Sequence, residues 1–261
     1  MEVRVPCEKR TQLKRKIAET IRKQSLSLKE IQSLIGSLNF ICRAVKPGRA
    51  FLRRLTDQTK KISKPDSVIQ LSEGTKSDLT TWLAFLDDFN GVTIVRPGRW
   101  ESDFDLDLFT DASGTIGFGG YFHGKWFCGH WPPFVLSGDY SIAWKEMVPI
   151  AVALLVWGSD LAGKRIRLHT DNMAIKNVIN KQTSHCPRIM SLVRTLVLQC
   201  LKRDTIVKAV YIATKENDIA DSLSRLQMSW HHRRMQHQHQ YQKAFGGYRA
   251  GGMPAYFRCY N

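Results

Sequence analysis

The chain has few of the features that mark membrane, secreted or zinc-binding proteins. No two of its six cysteines form a C-x-x-C pair, so neither a zinc site nor a disulfide framework is indicated. Its longest apolar run, near residues 150–157, is far shorter than the roughly 20 residues of a membrane span. The first ten residues are charged and contain no apolar stretch of secretory-signal type. We therefore expect an intracellular protein, cytoplasmic or nuclear, that does not bind a membrane.

Acidic residues are scarce at both ends of the chain. Residues 1–64 have a net charge of +12, and residues 226–261, which contain no acid, have a net charge of +5. Residues 65–225 have a net charge of −1. Because lysine and arginine that neutralise phosphates release counterions, this distribution favours a nucleic acid as the partner. A solvated basic surface is the alternative interpretation.

Hydrophobic periodicity predicts that residues 1–100 form a mainly helical region. Ser27 and Glu30 form a capping-box sequence, and apolar residues follow at three- and four-residue steps up to residue 41. A second helix is predicted from about residue 72 to residue 89. Between the two lies a basic stripe that either tracks phosphates or is a solvated helix face. Its members are Arg43, Lys46, Arg49, Arg53 and Arg54.

From residue 104 the apolar pattern changes from a helical to a strand-like period. The order of predicted elements is βββαβααβα, which indicates an α/β domain with a mixed sheet flanked by helices. Ser141 is the predicted N-cap of the long helix in this domain. From residue 229 onward no apolar periodicity is found, so residues 229–261 are predicted to be a disordered basic tail.

Four acids lie at element boundaries within the α/β segment. Each one alone is compatible with a turn, a helix cap or a solvated helix face. Together they suit the hydrolysis of a phosphodiester, in which two divalent cations clamp the attacking and departing oxygens. Carboxylates are the ligands that Mg²⁺ prefers, so two Mg²⁺ or Mn²⁺ ions are the expected cofactors. The four acids are Asp111, Glu146, Asp171 and Asp221.

The motifs around these acids carry a family resemblance. Residues 104–226 resemble the ribonuclease H domain of retroelement reverse transcriptases in F-T-D-A-S, W-K-E-M, H-T-D-N and N-x-x-A-D-S-L-S-R, and in the glycines at 117, 119 and 120. The resemblance implies a ribonuclease H-like five-stranded sheet and an endonuclease that hydrolyses the RNA strand of RNA–DNA hybrids. It also implies that the four acids hold the metal ions.

The match departs from the family at one position. Where the family often has a histidine that assists catalysis, this chain has Tyr211, which puts the rate of turnover in doubt. Ser113 and Asn172, each near one of the acids, are candidates for contacts to the hybrid, whose RNA strand is distinguished by its 2′-hydroxyls.

The region before residue 101 is similar to the thumb and connection region of DIRS-like reverse transcriptases. The similar segments begin at residues 28, 45 and 78. The sequence F-L-D-D at residues 85–88 matches a polymerase box, but it continues the apolar face of a predicted helix, so no polymerase activity is expected from this chain alone. A polymerase or a recombinase of the same element is an expected partner. The domains are therefore 1–100, 101–228 and the tail 229–261.

Two other functions compete with the hybrid ribonuclease. One is a non-catalytic, nucleic-acid-binding remnant of a retroelement, which would bind with steep salt dependence and would not cleave. The other is an integrase or resolvase of the same fold, against which the A-D-S-L-S-R ending and the thumb-like segment both speak.

Overall fold

The computed structural model describes residues 2–23, 25–60, 62, 64–94, 106–227 and 257–260. The chain divides into two compact units. The first comprises Met1–Trp100 and Gln182–Ser184, and the second comprises Glu101–Lys181 and His185–Asn261.

The first unit is mainly helical, as the sequence predicts. Its helices are α1 (Cys7–Arg22), α2 (Leu28–Ile41), a 3-10 helix (Lys46–Phe51), α3 (Arg53–Gln58) and α4 (Glu73–Asp88). Four short strands, which the sequence analysis does not predict, form two antiparallel pairs. These are β1 (Glu2–Arg4) with β4 (Val92–Ile94), and β2 (Ser25–Ser27) with β3 (Val68–Gln70).

The start of α2 shows how the sequence sets local structure. The Ser27 hydroxyl accepts a hydrogen bond from the backbone N–H of Glu30 (3.2 Å), and the Glu30 carboxylate accepts one from the backbone N–H of Ser27 (2.8 Å). The predicted capping box is therefore present, and it satisfies two backbone donors that the helix itself cannot. The buried face of α2 consists of Leu28, Ile31, Leu34, Leu38 and Ile41.

Gly48 lies in the 3-10 helix that follows α2 and has a packing role. A Cβ atom at this position would lie 2.1 Å from the ring of Trp82, which is fully buried on α4. Only glycine allows the backbone to approach the ring this closely. The helix α4 extends through Asp87 and Asp88, so the F-L-D-D sequence is helical.

The second unit is an α/β domain. Its strands are β5 (Leu106–Ala112), β6 (Gly117–Phe122), β7 (Lys125–His130), β8 (Arg165–Thr170), β9 (Ile206–Tyr211) and β10 (Phe257–Tyr260). Its helices are α5 (Pro133–Ser137), α6 (Ile142–Val156), α7 (Met173–Lys181), α8 (Pro187–Lys202), a 3-10 helix (Thr214–Glu216) and α9 (Asp218–Ser224).

The strand order of the sheet is β10-β7-β6-β5-β8-β9. The pairs β5–β6 and β6–β7 are antiparallel, whereas β5–β8 and β8–β9 are parallel. The predicted mixed five-stranded sheet, β7-β6-β5-β8-β9, is thus confirmed. The sixth strand, β10, pairs antiparallel with β7 and lies within the predicted disordered tail, so that prediction is wrong for Phe257–Tyr260. Residues 228–256 of the same region lie outside the described residues.

The helices α5 and α6 differ from the prediction. The long helix α6 begins after Ser141, whose side chain accepts a hydrogen bond from Trp144 N as predicted, but it ends at Val156 rather than near residue 161. The short helix α5 begins at Pro133 and is not predicted, because five residues are too few to show a helical period.

Helix α9 packs closely on the sheet. A Cβ atom on Gly119 of β6 would lie 2.4 Å from Leu223, so this glycine allows α9 to approach the strands. Leu223 forms a buried cluster with Trp126 and Cys128 of β7. Across the described part of the chain, no helix has the length and apolarity that a membrane crossing requires.

Candidate metal centre

Asp111 and Asp171 lie at the carboxyl ends of two neighbouring parallel strands. The register of β5 and β8 pairs Phe109 with His169, and two further residues along each chain are Asp111 and Asp171. Because residues two apart on a strand face the same side, the parallel pairing places both acids at one edge of the sheet. Asp111 is buried and Asp171 is half-buried.

Glu146 comes from the helix α6, which packs on β5 and β6. It is the fifth residue of the helix and is buried, with a 6% exposed fraction. One ligand oxygen each of Asp111, Glu146 and Asp171 lies within 4.8 Å of the others. The structure therefore brings together three acids that are separated by up to 60 positions in the sequence.

Asp221, the fourth predicted acid, lies beside this trio on α9. Its charge contributes to the raised pKa values of both Asp111 and Glu146, and its carboxylate forms an ion pair with Arg225 (2.9 Å). Asp221 does not belong to the group whose ligand oxygens lie within 4.8 Å. Its side chain is 30% exposed, whereas Asp111 and Glu146 are buried.

The electrostatics of the cluster are those of crowded, buried carboxylates. Burial raises the pKa of Glu146 to about 9, and the negative charges of Asp111, Asp171 and Asp221 add to the effect. Burial likewise raises the pKa of Asp111 to about 6, although a hydrogen bond from Ser224 and the charge of Arg225 oppose it. Without a cation, the folded protein therefore disfavours full ionisation of the cluster.

The donor set fits a hard divalent cation. All its ligand atoms are carboxylate oxygens, the type that Mg²⁺ prefers. Two oxygens that bind one Mg²⁺ at about 2.1 Å lie at most about 4.2 Å apart, so the separations in the trio require little closing movement. A bound cation would also offset the mutual repulsion that raises the pKa values of Asp111 and Glu146.

Three side chains from the segment around α9 connect the acids to their surroundings. Thr214 Oγ1 donates to Asp171 Oδ2 (3.0 Å), Asn217 Nδ2 donates to the carbonyl of Thr110 (3.1 Å), and the Ser224 side chain hydrogen-bonds Asp111. The sequence analysis does not identify any of the three as a site residue. The N-x-x-A-D-S-L-S-R motif contains Asn217 and Ser224 and could have indicated them.

A buried lysine next to Glu146 joins α6 to the turn after β5. Lys145 is 9% exposed, and its Nζ donates to the carbonyl of Gly114 (2.5 Å) while lying 5.9 Å from the ring centre of Trp131. Trp131 in turn donates from Nε1 to the carbonyl of Ser113 (2.7 Å). These contacts fix the helix turn that carries Glu146.

The two residues proposed to contact the hybrid both have local structural contacts. The Ser113 hydroxyl accepts hydrogen bonds from Ile116 N (3.2 Å) and Thr115 N (3.4 Å), and so it closes the turn between β5 and β6. Asn172 Oδ1 accepts from Ala174 N (3.0 Å) and Ile175 N (3.2 Å) at the start of α7. Both residues lie close in sequence to an acid and are half-buried, so they remain partly accessible to solvent despite these local hydrogen bonds.

The basic stripe of the first unit divides into two groups. Arg43, Lys46 and Arg49 are exposed. In contrast, Arg53 forms an ion pair with Asp57 (2.9 Å), and Arg54 Nη1 donates to Asp78 Oδ1 (3.1 Å). Arg53 and Arg54 therefore stabilise the unit through internal ion pairs. The sequence pattern does not distinguish them from the three exposed residues.

Of three comparisons with known proteins, the comparison with solved structures gives matches. Protein-family models and curated proteins provide no match to the chain. Among solved structures, RNase H1 of Halobacterium salinarum is 14% identical with a TM-score of 0.33, over 47% of this chain and 97% of that one. The N-terminal RNase H domain of a Mycobacterium tuberculosis protein is 11% identical with a TM-score of 0.33, over 45% and 94%. A foamy viral protease-reverse transcriptase solved with ds DNA is 17% identical with a TM-score of 0.29, over 77% and 34%.

The second unit has the predicted mixed sheet flanked by helices. Its strand order, with three antiparallel strands followed by two parallel ones, places the ends of β5 and β8 side by side. The acid cluster lies at these ends, where α/β sheets commonly form their binding sites.

Proposed function

We propose that the chain is a metal-dependent endonuclease that hydrolyses the RNA strand of RNA–DNA hybrids. The observation that carries the proposal is the cluster of Asp111, Glu146 and Asp171, with ligand oxygens within 4.8 Å and with Asp221 beside it. Buried carboxylates repel one another and lower the stability of the fold. A cation that neutralises them would offset this cost, which explains why the acids lie together.

The four acids would hold two Mg²⁺ or Mn²⁺ ions, which supply a nucleophilic water and stabilise the departing 3′-oxygen when bound. The residues of the chain orient this chemistry. Asp111 and Asp171 are held by adjacent strands. Glu146 is held by a helix in which the preceding residue, Lys145, is anchored to the turn after β5. Asp221 approaches from α9, and its ion pair with Arg225 limits the directions in which its carboxylate can point.

The substrate and the origin of the chain are inferred from several features. The net charge of +16 favours a polyanion, and the exposed Arg43, Lys46 and Arg49 are candidates for phosphate contacts in the first unit. Ser113 and Asn172 are candidates for contacts to the hybrid near the acids. The sequence motifs favour a retroelement reverse transcriptase as the source, so a polymerase or recombinase of the same element is a proposed partner.

The test is cleavage of an end-labelled RNA–DNA hybrid with Mg²⁺ or Mn²⁺, alongside single-stranded RNA and duplex DNA of the same sequence. We expect the parent chain to cut only the RNA strand of the hybrid, and Asp111→Asn to reduce cutting to background. The matched control is Asp160→Asn, because Asp160 is an exposed acid of the same unit that pairs with Lys125. Equal cutting by the parent and Asp111→Asn would remove the proposal. Tight hybrid binding without cutting by the parent would favour the non-catalytic remnant instead.

A further inference from the structure

We infer that Thr214 is a positioning residue for the candidate metal centre, and that its hydroxyl orients the Asp171 carboxylate for a divalent cation. The inference rests on the proposed function, because it assigns a role to Thr214 only if Asp171 is a metal ligand. It concerns a residue that the sequence motifs do not single out.

The contact is a single well-formed hydrogen bond. Thr214 Oγ1 donates to Asp171 Oδ2 at 3.0 Å, across 43 positions of sequence. A carboxylate without a hydrogen-bond partner rotates about its Cβ–Cγ bond. A donor that binds one of its oxygens restricts this rotation and so fixes the plane of the group. Thr214 therefore fixes how Asp171 presents its oxygens to Asp111 and Glu146.

The Thr214 backbone is itself held in place from both sides. Before it, β9 pairs with β8, and Ile212 N donates to the carbonyl of Thr170 (3.1 Å), the residue that precedes Asp171. After it, the 3-10 helix is closed by a bond from Asn217 N to the carbonyl of Thr214 (3.1 Å). Thr214 and Asp171 thus follow two strands in fixed register, so the hydroxyl is preorganised for its contact.

Tyr211 lies three residues before Thr214 in the chain. The sequence resemblance places an auxiliary histidine at this residue, but Tyr211 is 47% exposed. In the segment that connects β9 to α9, the side chain of Thr214 contacts an acid, Asp171. In this chain, the loop between β9 and α9 therefore acts on the metal centre through a hydroxyl that orients a ligand.

The test separates orientation from folding by measuring metal binding. Mn²⁺ affinity is measured by isothermal titration calorimetry for the full chain, Thr214→Val and Thr214→Ser, with thermal unfolding in EDTA alongside. Valine keeps the shape but removes the donor, and serine keeps the donor. Thr195→Val is the matched control, because Thr195 is an exposed threonine whose hydroxyl bonds only the carbonyl of Ser191 within α8 among the described contacts.

We expect Thr214→Val to weaken Mn²⁺ binding about fivefold, the effect of one net hydrogen bond, with little change in unfolding temperature in EDTA. Thr214→Ser should recover most of the affinity, and Thr195→Val should not alter it. In hybrid cleavage, Thr214→Val should need a higher Mg²⁺ concentration for half-maximal rate. If Thr214→Val binds Mn²⁺ as tightly as the parent chain, while Asp111→Asn shows the expected loss of hybrid cleavage, this inference alone is overturned. A parent chain that binds no Mn²⁺ overturns the proposed function and this inference with it.

Discussion

The side-chain amide of Asn217 donates a hydrogen bond to the carbonyl of Thr110, one residue before Asp111 in β5. The two residues are 107 positions apart, and Asn217 is 1% exposed. The carbonyl of Asn217 also accepts from Asp221 N at the start of α9 (2.9 Å). One residue therefore connects the strand that carries Asp111 to the helix that carries Asp221.

We predict that Asn217→Ala lowers the free energy of unfolding by about 1–3 kcal/mol, because a buried carbonyl loses its donor. It should also weaken Mn²⁺ binding, since the distance between Asp111 and Asp221 is no longer held. Urea unfolding and calorimetry measure the two effects. Asn180→Ala is the matched control, because Asn180 on α7 bonds both backbone groups of Ala209 and that helix carries none of the four acids. It should lower stability and leave the affinity for Mn²⁺ unchanged.

The crowding of the acids predicts that removing one of them stabilises the metal-free protein. The pKa of Asp111 is raised from 3.8 to about 6, and each pH unit between the two values corresponds to about 1.4 kcal/mol. At pH 8 in EDTA, Asp111→Asn should therefore raise the free energy of unfolding by up to about 3 kcal/mol, as measured by urea titration. The same variant should lose the stabilisation that Mg²⁺ gives to the parent. If Asp111→Asn is less stable than the parent chain, the negative charge of Asp111 is already compensated by neighbouring groups in the metal-free protein.

The pH dependence of stability follows from the same two acids. The pKa of Asp111 and of Glu146 is raised in the folded state, to about 6 and about 9, so the folded protein holds these protons at pH values where the unfolded chain has released them. Stability in EDTA should therefore be highest below about pH 4 as far as these groups are concerned, and should fall as the pH rises from there towards 9. For each titrating proton the slope is at most about 1.4 kcal/mol per pH unit.

Thermal unfolding between pH 5 and pH 9 measures this dependence. Glu30, whose pKa is lowered to about 2, acts in the opposite direction but only below its usual value of 4.5, outside this window. Since metal binding displaces the proton of Glu146, Mg²⁺ should stabilise the protein more at pH 8 than at pH 6. An unfolding temperature in EDTA that rises from pH 6 to pH 9 would contradict the prediction.

The exposed members of the basic stripe should contribute to nucleic-acid binding through charge alone. Replacing Arg43, Lys46 and Arg49 together by alanine should lower the slope of log affinity against log salt concentration by about 2 to 3, at roughly 0.9 per phosphate contact. Fluorescence anisotropy with a labelled hybrid at several salt concentrations measures the slope. Folding should be unaffected. An unchanged slope would indicate that these residues form a solvated surface only.

Arg54→Ala is the contrasting variant. Arg54 Nη1 donates to the carboxylate of Asp78, whose side chain is 4% exposed, and to the carbonyl of Gly74 (2.9 Å). Its loss should lower the free energy of unfolding by about 1.5–3 kcal/mol, the usual effect of losing a hydrogen bond to a charged group. The salt slope of hybrid binding should stay as in the parent chain.

Local features of the sequence predict most of the secondary structure that matters here. The capping box of Ser27 and Glu30, the N-cap Ser141 and the apolar periods each depend on residues a few positions apart, so the sequence shows them directly. Elements without a period were missed, namely α5 and the short strands β1 to β4. The strand β10 was missed because its pairing with β7 depends on residues more than 120 positions away.

The sequence by itself determined the order of the main elements of the second unit, the mixed sheet and the four acids that are candidates for metal binding. It did so because periodicity, capping and motif spacing are properties of neighbouring residues. Only the tertiary structure decided that Asp111, Glu146 and Asp171 share one cluster, that Arg53 and Arg54 serve internal ion pairs, and that Thr214 contacts Asp171. These relationships depend on strand register and on burial, which bring distant side chains together and which no local pattern records.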